Sequence, residues 1–287
     1  MQQIWIIGCG DIGRRVAKRI NDLYQNVPHR TSALIRGEDS ANLCQSLGLE
    51  TLIHDLDHAN PLSPEKFTNS LVYYFSPPQR SGDEDTRLMH FLNQVGDTPK
   101  RIILISTTGV YGDNHGEWID EETPVNPQTD RAKRRFSAEQ QLLQWAEQFQ
   151  REYIILRVPG IYAKDRLPLE RLKKNLPVVQ SSEAGYTNRI HADDLAEICI
   201  TAMQSDLTGE VFNATDGCPS TMVDYFNQIA DYAGLNHPPQ ISLKEAKQQL
   251  SEGMLSYAME SRRIRNSKLL SLLNVTLKYP TLPSALK

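Results

Sequence analysis

Four cations crowd the segment PQTDRAKRRFSAEQQLL, residues 127–143, at what reads as the first turns of a helix. They are Arg131, Lys133, Arg134 and Arg135. The helix dipole favours acids at this end and disfavours cations, so the cluster indicates an anionic neighbour. Nucleic acid, a phosphate clamp and an active site with replaced residues are the alternatives. Because Arg131 and Arg135 lie four residues apart on one helix face, we expect both to contact a phosphate, carboxylate or sugar diphosphate, and the other two to face solvent.

The hexapeptide GCGDIG, between a short apolar run and an amphipathic pattern, has the spacing G-x-G-x-x-G. In a dinucleotide-binding loop the first glycine makes the turn, the second lets the backbone approach a pyrophosphate, and the third lets the helix pack on the strand. Amides at the start of the helix would then face the phosphates. A purely structural turn is the alternative. The cofactor-binding residues predicted here are Gly8, Gly10, Asp11, Ile12 and Gly13.

Side chains at the ends of the next strands indicate which dinucleotide binds. The second strand ends at Arg36, where an NAD-preferring site usually has an acid that bonds the ribose 2′-hydroxyl. A guanidinium suits the 2′-phosphate of NADP, so we predict NADP, with NAD or a merely solvated arginine as alternatives. Asp55, at the end of the third strand, either lies near the adenine or caps the following turn. Ser76, just after the fourth strand, is also predicted to bind the cofactor, as are Arg135, which could hydrogen-bond a ribose or phosphate, and Tyr162.

The elements that must position these residues alternate along the first half of the chain. Near-continuous apolar strands alternating with helices predict an α/β fold, a Rossmann-type doubly wound parallel sheet. After residue 160 the pattern is mostly helical, which predicts a smaller substrate-binding lobe over 161–287 beside a dinucleotide-binding domain over 1–160. Residues 185–217, approximately, are expected to return to the first domain with one more strand. The predicted strands are 4–7, 32–36, 51–55, 71–75, 101–106, 153–158 and 210–215.

Composition narrows the class of protein. The 287 residues carry a net charge of −4, which disfavours nucleic-acid binding. The opening MQQIWIIGCG has neither the basic start of a signal peptide nor the length of a membrane span, and no other run is long enough to cross a membrane. The four cysteines are far apart and are interpreted as reduced thiols of a cytoplasmic protein. No metal site is predicted.

Four later segments carry a resemblance to a known family. They are ISTTGVYG at 105–112, RVPGIYA at 157–163, RIHADDLAE at 189–197 and GEVFNATDG at 209–217. Together they resemble the extended short-chain dehydrogenases, the NAD(P)-dependent epimerase/dehydratase superfamily, over nearly the whole chain. The resemblance implies a catalytic hydroxyl on Thr107, and a homodimer is plausible on the same ground.

The chain departs from this family at the segment with which we began. The family carries Pro-x-x-x-Tyr-x-x-x-Lys followed by Glu, and here Pro127 and Glu139 match while Arg131 and Arg135 replace the tyrosine and the lysine. Arginine stays protonated, so Arg131 cannot serve as a general acid or base. The resemblance is therefore to an atypical member that lacks the Tyr-Lys pair. The alternative role for both arginines is pairing with the acidic loop 117–122.

Two tyrosines are candidates for the missing functions. Tyr111 follows Thr107 in the same loop and is a possible substitute proton donor, although the matching family tyrosine is mainly structural. Tyr162 lies just beyond the sixth strand, where family members contact substrate and nicotinamide. The predicted function is an oxidoreductase or epimerase acting on a sugar nucleotide or another small polar substrate. The alternative is a non-catalytic NADP-binding redox sensor or regulator.

Overall fold

The computed structural model describes residues 1–25, 28–58 and 60–287. The helices are α1 Asp11–Leu23, α2 Glu38–Gln45, α3 Thr86–Val95, α4 Asp130–Phe149, α5 Leu169–Lys173, α6 Ala192–Gln204, α7 Met222–Ala233, α8 Leu243–Gln249, α9 Glu252–Met259, α10 Ser267–Leu272 and α11 Leu282–Leu286. The strands are β1 Gln2–Ile7, β2 His29–Ile35, β3 Glu50–Ile53, β4 Ser70–Tyr74, β5 Pro99–Thr107, β6 Trp118–Ile119, β7 Glu152–Val158, β8 Gly160–Tyr162, β9 Val178–Val179, β10 Tyr186–Thr187, β11 Arg189–His191, β12 Glu210–Asn213, β13 Ser220–Thr221, β14 Gln240–Ile241 and β15 Arg263–Ile264.

The central feature is a seven-stranded sheet in the order β12-β7-β5-β4-β1-β2-β3. The pairs from β5 to β3 are parallel, and Ile4 of β1 lies opposite Thr31 of β2 on one side and Leu71 of β4 on the other. Parallel neighbours require crossover connections, and helices such as α1 and α3 provide them. The Rossmann-type prediction is confirmed, and the strand expected near 210–215 joins the main sheet as β12.

One face of this sheet buries a core built from β-branched, leucine and aromatic side chains. Trp5 of β1 packs on Phe67 with ring centroids 4.5 Å apart, and Phe67 meets Phe91 of α3 edge-on at 5.5 Å. Leu142 and Trp145 of α4 belong to the same buried cluster. The long helix is thus held on the sheet by its apolar stripe, and its first turns are placed at the carboxyl ends of the strands.

The chain divides into two compact units by its internal contacts. The first comprises residues 1–110, 130–157 and 195–212, and the second comprises 111–129, 158–194 and 213–287. The segment 111–129, which the sequence prediction kept within 1–160, lies in the second unit. The second unit has its own apolar core, in which Phe226 and Ile229 of α7 pack with Leu172 and Leu282. None of the described helices is long and apolar enough to cross a membrane.

Candidate dinucleotide site

The glycine loop between β1 and α1 lies in the first unit, and each glycine has its own local reason. Gly8 has φ +85°, and a Cβ there would come within 2.6 Å of the Ser76 backbone nitrogen. A Cβ on Gly13 would come within 3.1 Å of Ile6 Cγ2, so glycine keeps α1 close to β1. A Cβ on Gly10 would meet nothing within 4 Å, and this residue caps α1 without a side-chain hydrogen bond. The loop therefore combines open space with helix amides, which is what a pyrophosphate needs.

The two residues that open α1 complete this loop. Ile12 is buried, and Asp11 accepts a hydrogen bond from Arg15 Nε at 3.1 Å, one turn along the helix. An acid in the first turn is favourable to the helix dipole. The Asp11 carboxylate is thus bonded within the helix and Ile12 packs in the core, so the backbone amides are what this turn offers a ligand.

A cavity of about 210 Å³ opens in the first unit where β1, β2, β3 and β4 end. Gly8, Arg36, Asp55 and Ser76 all line it, so the structure brings four of the predicted cofactor residues together. Arg36 is exposed, and within the described residues its guanidinium has no hydrogen bond or ion pair. The Asp55 carboxylate accepts a hydrogen bond from the Asp57 amide at 3.0 Å, so this acid caps its own turn while it lines the cavity.

Sequence reasoning missed a second arginine in the same cavity wall. Arg87 of α3 donates from Nε and Nη2 to both carboxylate oxygens of Asp57, at 2.6 and 2.5 Å, and from Nη1 to the Pro77 carbonyl at 2.9 Å. The guanidinium holds the pKa of the Asp57 carboxyl below its usual range. Arg87 joins the turn after β3 to the turn after β4, so it shapes the cavity. Only its position in the first turn of α3 could have signalled this.

Thr107 ends β5 and is half-buried, with its hydroxyl accepting a hydrogen bond from the Gly109 amide at 3.2 Å. The preceding Ser106 is buried and donates from Oγ to Glu139 at 2.5 Å. Glu139, the glutamate of the family pattern, also receives two hydrogen bonds from Arg157, from Nε at 3.1 Å and from Nη2 at 2.8 Å. The carboxylate therefore ties β5, α4 and β7 together, and its role in this chain is to hold those elements.

The four cations of α4 have different surroundings. Arg131 and Lys133 are exposed, and within the described part of the chain Arg131 has no hydrogen bond or ion pair. Arg135 donates from Nη1 to the carbonyls of Ser76 at 3.4 Å and Ile105 at 3.1 Å, which end neighbouring strands. The pairing of Arg131 and Arg135 with the acidic loop 117–122, which formed the alternative, stays a prediction.

The expectation that Arg134 faces solvent is wrong. Arg134 is 9% exposed and donates from Nη1 to the Gly82 carbonyl at 2.5 Å. The physical reason is its spacing along α4, because it precedes the buried Ala138 and Leu142 by four and eight residues. Arg134 therefore lies on the buried stripe of α4, and the Gly82 carbonyl accepts a hydrogen bond from its guanidinium.

Tyr111, the candidate proton donor, is buried in the second unit. Its hydroxyl donates to Asn213 Oδ1 at 2.9 Å. The backbone N–H of Asn213 donates to Glu121 Oε1 at 2.7 Å, and burial raises the pKa of the Glu121 carboxyl. The tyrosine hydroxyl is thus a member of a structural hydrogen-bond chain, and proton donation by Tyr111 stays a prediction.

Tyr162, the other candidate tyrosine, is also buried in the second unit. Its hydroxyl lies 3.5 Å from the Tyr279 carbonyl, and its ring meets His191 edge-on at 5.3 Å. His191 accepts a hydrogen bond from the Asp193 amide at 3.1 Å. Asp194 accepts two backbone hydrogen bonds, from Lys278 and Tyr279. This segment anchors the end of the chain, and a cofactor contact by Tyr162 stays a prediction.

The histidine, cysteine and acidic side chains are the groups that could form a metal site or disulfides. Within the described residues no group of three or more histidine, cysteine or acidic side chains could hold a metal ion. All four cysteines are free, and Cys218 is the exposed one. The sheet, the glycine loop and the cavity have the arrangement that dinucleotide-binding α/β proteins use.

Comparison with known proteins shows which family the middle of the chain is similar to. Residues 84–215 match the model of the NAD dependent epimerase/dehydratase family, which confirms the resemblance to that superfamily. The atypical character inferred from Arg131 and Arg135 stays a prediction. No curated protein sequence matches the chain. Among solved structures, a functionally unknown conserved protein from Silicibacter pomeroyi DSS is 26% identical with a TM-score of 0.85, and the alignment covers 100% of this chain and 97% of that one.

Two further structures show the same fold at lower identity. UDP-glucuronic acid 4-epimerase from Bacillus cereus, in complex with NAD, is 16% identical with a TM-score of 0.77, covering 99% of this chain and 94% of that chain. dTDP-glucose 4,6-dehydratase from Bacillus anthracis, also in complex with NAD, is 17% identical with a TM-score of 0.78, covering 100% and 94%.

Proposed function

We propose that the protein binds NADP and acts as an epimerase/dehydratase-like oxidoreductase or epimerase on a sugar nucleotide or another small polar substrate. The observation that carries the proposal is the exposed, unpaired Arg36 in the wall of a cavity beside the glycine loop. A cation without a hydrogen-bonded partner at this strand end suits a 2′-phosphate, whereas an acid would suit the free 2′-hydroxyl of NAD.

The residues present fit such a cofactor. Gly10 leaves space for a pyrophosphate at the uncapped start of α1, and Asp55 and Ser76 line the adenosine side of the cavity. Arg135 uses only Nη1 for its carbonyl contacts among the described residues, so Nε and Nη2 are available to hold a ribose hydroxyl. When bound, the nicotinamide supplies a hydride acceptor or donor.

Two side chains would act on the substrate, and a third would support them. The Thr107 hydroxyl, at the carboxyl end of β5, orients a substrate oxygen by a hydrogen bond. Arg131, exposed and unpaired within the described residues, attracts an anionic substrate group. Arg135 keeps the ends of β4 and β5 in register beneath them. Neither arginine takes up a proton at neutral pH, so proton transfer falls to another group or to the substrate itself.

The second candidate function is a non-catalytic NADP-binding sensor or regulator. The replacement of both the tyrosine and the lysine by arginine favours it, because the remaining Thr107 hydroxyl has no base beside it within the described residues of its unit. Under this alternative the cofactor site is intact and the substrate chemistry is absent.

Nucleotide binding is the first test. The full chain is titrated with NADPH and with NADH, following nucleotide fluorescence, as wild type and as Arg36→Ala. We expect Arg36→Ala to weaken NADPH binding by about 1.5–3 kcal/mol, roughly tenfold or more, and to leave NADH nearly unchanged. Arg30→Ala, at the other end of β2, is the matched control and should change neither. Equal effects on both nucleotides would remove the case for NADP, and no binding of either would remove the proposed function.

Turnover separates the two candidate functions. Wild type and Thr107→Val are assayed with NADP and NADPH against sugar nucleotides and small hydroxy or oxo acids. A substrate turned over by wild type and lost with Thr107→Val, at unchanged NADPH affinity, supports the enzyme. NADPH binding without any turnover across the panel supports the sensor.

A further inference from the structure

The second unit contains a cavity of its own, about 120 Å³ in volume, in the region where β8, β11, α7 and α9 meet. Its walls are mostly aromatic and thioether side chains, with one charged group. The side chains that matter are Tyr162, Arg189, Met222, Tyr225, Met254 and Tyr257. This lining differs from the polar surface expected around a sugar, since apolar walls reward the burial of apolar surface.

Arg189 is the charged group, and it is 6% exposed. Its Nη1 donates to Ser220 Oγ at 2.7 Å, and its Nη2 donates to Thr187 Oγ1 at 2.9 Å and to Met222 Sδ at 3.4 Å. The guanidinium carbon lies 4.0 Å from the centroid of the Tyr225 ring. Every one of these partners is neutral, so they orient the cation without cancelling its charge.

Among the described residues no carboxylate hydrogen-bonds or forms a close ion pair with the Arg189 guanidinium. Asp216, three residues after β12, is the acid whose charge acts on Arg189. Its Oδ1 accepts a hydrogen bond from the Cys218 amide at 2.9 Å. Burial raises the pKa of Asp216 to about 7, so near neutral pH this acid is only partly ionised. A buried charge without a counter-ion is costly, and cations in proteins are ordinarily paired when withdrawn from water.

The size of the cavity limits what can enter. An apolar cavity of roughly 150 Å³ holds one benzene molecule, so the present one accepts about one ring or a branched aliphatic group of similar size. A nucleoside with its sugar and phosphates is several times larger. The cavity therefore has room for only one end of a larger ligand. Its apolar walls and its arginine suit an end that has both an apolar body and a negative charge.

We propose that the second unit binds a small organic carboxylate with a ring-sized apolar body, whose carboxylate pairs with Arg189 and whose body packs against Tyr225, Met222 and Tyr257. The inference deepens the proposed function, because it names the group that the substrate presents to the second unit, and it rests on that function only for turnover. It favours a small acid over a sugar nucleotide as the substrate class.

Binding of benzoate to the full chain, without any nucleotide present, tests the proposal. The neutral isostere benzamide is the ligand control. The protein control is Arg171→Gln, because Arg171 is a half-buried arginine of the same unit that stacks over Phe226 and lies outside the cavity wall. We expect benzoate to bind in roughly the millimolar range, and benzamide to bind at least about tenfold more weakly. Arg189→Gln should lose about tenfold or more in benzoate affinity, and Arg171→Gln should lose none.

Either of two results would contradict the inference. Equal binding of benzoate and benzamide, or equal benzoate affinity in Arg189→Gln and wild type, removes the carboxylate–arginine pair. Should Arg189→Gln fail to fold by circular dichroism, Tyr257→Ala at the exposed edge of the cavity decides instead: benzoate affinity must fall severalfold there. Because nucleotide is omitted, loss of benzoate binding with intact NADPH binding sinks this inference alone, and the reverse result sinks the proposed function alone.

Discussion

Arg157 in the first unit and Arg189 in the second are equally withdrawn from solvent, at 7% and 6% exposed, but their partners differ in kind. Arg157 meets both oxygens of a buried carboxylate, Glu139, which also accepts from Ser106. Arg189 meets a hydroxyl of serine, a hydroxyl of threonine, a thioether and an aromatic face. One guanidinium is neutralised by the fold, and the other is only oriented by it.

The difference separates a structural cation from a ligand-binding one. A paired buried arginine has its donors and its charge satisfied within the protein, so it contributes to cohesion and offers little to a ligand. A buried arginine with neutral acceptors keeps its charge for an anion that enters the adjoining cavity. The same reasoning places Arg135, whose Nη1 acceptors are two backbone carbonyls, between these two cases.

Removing the Glu139 carboxylate should leave Arg157 without an ion pair, and this change should have the largest effect on stability. Glu139→Ala leaves a buried guanidinium and the Ser106 hydroxyl without their acceptor, so we expect a loss of about 3–5 kcal/mol in the free energy of unfolding. Urea unfolding measures it. Glu147→Ala, an exposed glutamate on the same helix, is the control and should stay within about 0.5 kcal/mol.

A loss below about 1 kcal/mol for Glu139→Ala would contradict the assignment of Arg157 as a structural cation. Glu139→Gln offers an intermediate point, since the amide oxygen still accepts a hydrogen bond while the charge is gone. Its stability should fall between those of wild type and Glu139→Ala.

Residue pattern alone predicts the sheet and the glycine loop of the first unit and the mostly helical character of the second, but it does not predict the cavity of the second unit. Strands of β-branched residues and the glycine spacing are local signals, and they predicted the sheet and the Gly8–Gly13 loop. Arg36 was found because the carboxyl ends of parallel strands share one edge. The residues that line the cavity with Arg189 come from α7 and α9, which are distant in sequence. No local spacing of residues predicts that they lie together.

The errors have equally physical causes. Arg134 was expected in solvent because charged residues are ordinarily exposed, although its spacing to Ala138 placed it on the buried stripe of α4. The Arg87–Asp57 pair was missed because one member lies in the turn after β3 and the other in the first turn of α3, 30 positions apart. Pairs of this kind are decided by packing, which a single sequence does not display.

The charge balance around Arg189 should appear as a pH dependence of stability. Folding raises the pKa of Asp216 from an ordinary 3.8 to about 7, mainly through desolvation. Between these values the unfolded chain releases the proton first, so the contribution of this group is fully present below about pH 4 and is lost as the pH rises through 7. We expect a fall of about 4 kcal/mol in unfolding free energy across this window.

Asp216→Asn should remove that fall, because the neutral amide has no proton to release. Urea unfolding at pH 4, 5.5, 7 and 8 measures the slope for both proteins. Asp22→Asn, an exposed acid of α1, should reproduce the wild-type slope. A slope shared by wild type and Asp216→Asn would show that another group carries it, and that Asp216 is ionised beside Arg189 throughout.

The smallest expected effect distinguishes the two arginines that replace the family tyrosine and lysine. Arg135→Ala removes a charged donor from the carbonyls of Ser76 and Ile105, which should cost about 1–2 kcal/mol in unfolding free energy. Arg131→Ala, four residues earlier and exposed, should stay within about 0.5 kcal/mol. Arg131→Ala should instead weaken binding of an anionic substrate, because only a cation without a protein partner has its charge to offer. Equal stability losses in the two variants, with substrate affinity unchanged in both, would place Arg131 with the structural cations.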